Sequence, residues 1–188
     1  MHPRTEEVIN YLDSERKALR EAVERVPPEL RDKQPGADRW SVAQVLQHLG
    51  IIEKRIGLGM AKWVTDARSG GVESEAETSS IMNSLPLGLI TDRSQRRNAP
   101  EDVRPLADTD AESAWATLQK SRETLRAAFL AGDGLALSQV IQPHPVLGAI
   151  NLYQWMLFVG SHEMRHTAQV IEIAEQLNAD SNSATGPA

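Results

Sequence analysis

The sequence predicts an all-α fold, an antiparallel four-helix bundle with a long crossover between helices two and three. Apolar residues recur at helical spacing in four separate segments. Caps, prolines and glycines bound those segments. About forty residues of weak periodicity separate the second from the third, a length uncommon inside a compact domain and often functional when present.

The first segment runs from about Thr5 to Val26, with Val8, Leu12, Leu19, Val23 and Val26 on one stripe. Pro27 and Pro28 stop it, because a proline ring blocks helix continuation and turns the preceding residue away from helix. The second starts at Ser41, which can cap the first turn while Gln44 reaches back to it. Trp40 and Val45 are placed for a hydrophobic staple across that cap. It runs to about Asp66 and ends at Ser69, Gly70 and Gly71.

In the crossover, Ile81 to Ile90 is apolar enough to pack as a short helix or lid, interrupted by Pro86 and Gly88. Pro100 and Pro105 suggest an extended strap. The third helix follows Asp108, Thr109 and Asp110, with a buried stripe of Trp115, Leu118, Leu125 and Phe129, and closes at Gly132 and Gly134. The fourth runs from near Asn151 to about Leu177. Its first half is apolar nearly all round and so belongs at the centre. This gives one helical domain over residues 1–178 and a flexible tail over 179–188.

Bulk composition excludes several function classes. The net charge of −6 over 188 residues argues against a nucleic-acid partner. The densest basic stretch, Arg93, Arg96, Arg97 and Arg104, is interspersed with Asp92, Glu101 and Asp102 and reads as a solvated loop. The longest apolar run, Ile150 to Gly160, is far too short to cross a bilayer. Met1 to Glu7 lacks the apolar core of a signal peptide, so a cytoplasmic location is the default expectation. The chain has no cysteine, which removes disulfides, thiolate ligands and a cysteine nucleophile together.

The chemistry is carried by histidine. His162 and His166, four residues apart, put two imidazoles on one face of the last helix, the face that also carries Trp155, Val159, Gln169 and Ile173. A shared metal would supply the polar partners such a pair needs in an apolar stripe; two ordinary buried histidines are the alternative. His48 tips the balance, because it lies mid-way along helix two with Ser41, Gln44, Val45, Ile52 and Arg55 on its face. Three inward imidazoles from two helices match an open metal site with positions left for water or substrate. Zinc, nickel and iron all suit three imidazoles.

The string His162-Glu163-Met164-Arg165-His166 also fits the zinc-peptidase pattern H-E-x-x-H. That reading fails because the third ligand should come from downstream, where only Glu172 and Glu175 follow, on the same helix. Glu163 remains a candidate general base, with surface charge or orientation of His162 as alternatives. Gln44 and Gln169 are candidate hydrogen-bond partners of the ligand histidines, although Gln44 has the competing capping role. Arg55 could bind an anionic substrate group or leave its head in solvent. His144, between two prolines, reads as a structural turn residue rather than a fourth ligand.

Arg39-Trp40-Ser41 followed by His48-Leu49 resembles the first signature of the DinB/YfiT-like superfamily. His144-Pro145-Val146-Leu147-Gly148, then Tyr153-Gln154-Trp155, then His162 through Gln169, resembles its last helix. Ala99-Pro100-Glu101 to Arg104-Pro105 resembles its crossover strap. The resemblance implies a four-helix bundle with a long second connection, and a metal triad that falls on His48, His162 and His166. It also implies a small-molecule substrate. Family members include thiol S-transferases and a maleylpyruvate isomerase that use low-molecular-weight thiols, and many others are called metal-dependent hydrolases. Three expectations follow: a metal-dependent thiol transferase with a thiol cosubstrate, a metal-dependent hydrolase, or a metal-binding, stress-associated protein without turnover that acts as a homodimer.

Overall fold

The computed structural model describes residues 1–94 and 98–184, with side chains to 179. Arg96 and Arg97 of the basic stretch, and residues 185–188 of the expected tail, lie outside the described residues. The chain forms α1 (Pro3–Glu24), α2 (Val42–Ser69), the short α3 (Leu87–Thr91), α4 (Ala111–Leu130), a hairpin of β1 (Ile141–His144) and β2 (Gly148–Asn151), and α5 (Leu152–Ala184).

The caps explain the boundaries. Ser41 Oγ accepts from Gln44 N at 3.2 Å and Gln44 Oε1 accepts from Ser41 N at 3.0 Å, a reciprocal box that satisfies two free amides of α2. Asp110 Oδ1 accepts from Ser113 N at 2.8 Å and opens α4. Asn151 and Gln154 repeat the reciprocal arrangement at the start of α5. At its other end α5 passes the expected stop at Leu177 and continues to Ala184. Periodicity missed the hairpin, because four-residue strands are too short to carry a pattern. The hairpin pairs His144 with Gly148, whose φ of 75° suits a glycine.

Helix direction follows from the connections. Gly50 lies against Leu118 and Gly57 against Leu125, so α2 and α4 run parallel, and both glycines let the two backbones approach closely. The long crossover makes this possible, since a short loop would have returned α4 antiparallel to α2. The expected antiparallel packing holds between α2 and α5, where Trp63 meets Trp155 and His48 meets His166. It holds also between α1 and α4, where Asp13 pairs with Arg126 and Arg16 with Gln119. The α1–α5 contact is tight: a Cβ on Gly160 would fall 2.3 Å from the Tyr11 ring.

The core has two apolar parts. One contains Val8, Leu12, Ile56, Leu125, Phe129 and Val159; the other contains Leu19, Leu49, Leu118, Val170 and Ile173. Between them, one residue from each long helix forms a charged layer, in which buried Glu53, Arg122 and Glu163 join half-buried Arg16. Arg122 spans Glu53 and Glu163 at 2.5 Å each, and Arg16 also bridges the two carboxylates. Burial works against the Arg122 charge, but the two carboxylates more than offset it and raise its pKa.

The crossover is anchored at several points. Arg4 donates to Ser79 O and Oγ at 2.9 and 2.7 Å, and Glu7 accepts from Ile81 N at 2.9 Å. The apolar segment expected as a short helix or lid packs as one: Ile81, Leu85 and Ile90 enter the core around α3. Arg93 departs from the solvated-loop expectation and grips Glu172 of α5 with two donors. Trp115, expected in the buried stripe, is half-buried at its edge beneath Arg16 and Arg20. No helix among the described residues is long and apolar enough to cross a membrane.

Candidate metal centre

His48 on α2 and His162 and His166 on α5 meet between the two antiparallel helices. Their ligand-capable nitrogen atoms all lie within 4.8 Å of one another. Nε2 of His162 and Nε2 of His166 are 3.2 Å apart. The three rings contact each other pairwise, with centroids 4.6 to 5.3 Å apart.

Two outer contacts set the tautomers. His48 Nδ1 lies 2.7 Å from the Val103 carbonyl, which can only accept, so Nδ1 carries the proton and Nε2 is left with its lone pair. His166 Nδ1 lies 2.8 Å from Gln169 Oε1, with the same consequence. Burial, aided by the neighbouring His48, pushes His162 down to about 3. Burial also lowers His166 well below the usual imidazole value, and it lowers His48 despite the Val103 contact. The three rings are therefore neutral at pH 7. Three neutral imidazoles with a nitrogen each in one small region are a donor set that could hold a divalent ion.

The other candidates separate. Gln169 is where the sequence placed it, on a ligand histidine. Gln44 is committed to its cap and to contacts with Gln34 and Leu106 O, and its side chain makes no hydrogen bond to an imidazole. Glu163, the candidate base, is fully buried with one carboxylate oxygen on Arg16 and the other on Arg122. Of the roles weighed for Glu163, the structure shows pairing within the buried charged layer and no hydrogen bond to His162 among the described contacts. Arg55 reaches out to Asp102 at 2.7 Å on the surface. Both side chains are exposed, and the contact ties α2 to the turn that carries Val103. His144 is not among the converging ligands; its Nδ1 accepts from Val146 N and Leu147 N at 3.1 Å, the turn role expected of it.

Three neighbours were missed. Val103 acts through a backbone carbonyl, which leaves no mark in a sequence. Trp40 stacks on His166 at 6.3 Å and 16°, and Phe158 stacks on His162 at 5.5 Å and 21°. Phe158 could have been found, since it lies four residues before His162 on the same helical row.

A family model described as the DinB superfamily matches residues 11–170. The chain is 31% identical over 147 residues to the uncharacterized protein YuaE of Bacillus subtilis (strain 168), covering 78% of this chain and 84% of the relative. No solved structure gives a significant match.

Proposed function

Since the chain belongs to the DinB superfamily, we propose that its histidine triad holds one divalent ion in a metal-dependent thiol S-transferase. The substrate would be a small electrophile and the cosubstrate a low-molecular-weight thiol. The observation that carries this reading is the convergence of three imidazoles, two of them with Nε2 lone pairs prepared by Val103 and Gln169. A bound divalent ion would lower the pKa of a coordinated thiol or water.

The protein's own groups do the rest. His48, His162 and His166 would hold the ion with neutral donors, and Trp40 and Phe158 brace the rings. The thiol must come from outside, because the chain has no cysteine. Metal-assisted hydrolysis is less well supported. Activating water benefits from a positioned base, and Glu163 is committed to two arginines. A thiol is far more acidic than water and needs less help. A cytoplasmic setting, where thiols are kept reduced, fits this reading.

The test is metal analysis of untagged protein followed by assay of thiol consumption against a small electrophile. Turnover that needs both metal and thiol is the expected result. Metal-dependent turnover without thiol would point to a hydrolase. Metal binding with no turnover in either assay would point to a non-catalytic, dimeric metal-binding protein.

A further inference from the structure

Two aromatic rings pack against the metal centre, Trp40 on His166 and Phe158 on His162. Trp40 and Phe158 are both half-buried, whereas His48 and His166 beneath them are buried. His162, under Phe158, is the one ligand that keeps partial exposure. The side of the centre that keeps exposure is thus the His162 side, where Phe158 stands, and half-buried Trp40 lies against His48 and His166. Phe158 is backed in turn by His144 at 4.3 Å and Trp155 at 6.2 Å, so it stands against a wall of rings.

Charge supplies the second observation. Three neutral imidazoles leave the full charge of a divalent ion uncompensated, and no carboxylate belongs to the converging set. Glu163 is held by Arg16 and Arg122, and Glu172 by Arg93. A dication in a poorly solvated site without a protein counter-charge favours an anionic outside ligand.

Resting on the metal-site reading, we propose that the outside ligand is an anion carrying a planar apolar group, received against Trp40 and Phe158 while its anionic atom meets the metal. Trp40 and Phe158 are then specificity-determining residues, and the preferred substrates or cosubstrates are aryl rather than short alkyl compounds. A ring received there gains stacking and loses exposed apolar area, while a methyl group gains little.

The test uses two metal-binding probes that differ only in that group, acetohydroxamate and benzohydroxamate. Zinc is titrated first by calorimetry, which tests the metal-site reading by itself. Each probe is then titrated into zinc-saturated wild-type protein and the Phe158→Leu variant. Benzohydroxamate should bind the wild type about tenfold tighter or better, on the order expected for one extra stacked ring. In Phe158→Leu that ratio should fall towards unity. Because it is a ratio on zinc-saturated protein, a change in zinc affinity does not mimic the effect. Should the variant not fold, tryptophan quenching by 4-nitrobenzohydroxamate in the wild type, absent with acetohydroxamate, reads the same stacking. Zinc binding with equal affinity for both probes overturns the proposal and leaves the metal site standing. Absence of zinc binding overturns both.

Discussion

His48, His162 and His166 each offer one nitrogen to the same place, so the three substitutions should act alike. His48→Ala should weaken metal binding about as much as His162→Ala or His166→Ala, although His48 is far from them in sequence. Full metal affinity in His48→Ala protein would disprove a shared site. The two glutamines separate the site from the scaffold. Gln169→Leu removes the acceptor that orients His166 and should cost about 10- to 100-fold in metal affinity. Gln44→Ala should leave metal affinity unchanged and lower stability by about 1 kcal/mol, the usual worth of a cap. Calorimetric zinc titration and urea unfolding of both variants check the pair. The pH dependence follows from the depressed imidazoles. The unfolded chain takes up protons below the ordinary value of 6.5, while the folded site resists them, His162 down to about 3. The metal-free protein should therefore lose stability as pH falls below about 6.5. Protons should displace a bound ion only at a pH below 6.5, since it is the folded site they must enter. Denaturation midpoints and zinc retention across pH 4 to 8, on the order of the imidazole range, test both directions.

Among the elements, the crossover behaves least like its sequence. From its weak periodicity, the amides of residues 70–94 and 98–104 should exchange faster than those of α5. Within it, Ile81 should be an exception, because its amide is held by Glu7 and its side chain is buried. Hydrogen exchange as slow across the whole crossover as in α5 would reject this. The crossover also supplies the Val103 carbonyl, so a segment with little pattern of its own reaches over α2 and fixes the His48 ring. The hairpin before α5 does similar work on a smaller scale: His144 closes its turn and lays its ring on Phe158.

For the whole molecule, the charged layer between the two apolar parts is the feature with the largest expected effect. Removing one member leaves the remaining buried charges unbalanced. Arg122→Met should destabilise the protein by about 3–5 kcal/mol, because Glu53 and Glu163 would then share Arg16 alone. Urea denaturation measures this, and a loss below about 1 kcal/mol would mean that the layer is solvated in a way its burial does not suggest. The layer takes one residue from each long helix, so it is satisfied in one alignment of the four. A slip of any helix by a turn would strand a charge in apolar surroundings.

The sequence by itself determined the four long helices, because apolar period, caps and breakers act within a few residues. Ser41 with Gln44, Asp110 and the proline stop after α1 are all decisions of that range. It also determined which histidines can converge, since His162 and His166 share a face through helical geometry alone. The place of Gln169 beside His166 was legible for the same reason. Only the tertiary structure decided that α2 and α4 run parallel, that a valine carbonyl holds His48, and that Glu163 faces two arginines. Those outcomes depend on which helix lies opposite which. A glutamate one residue from His162 has no legible partners until its neighbours from α1, α2 and α4 are in place. The partners of a buried charge are chosen by packing between distant segments, and no local pattern records that choice.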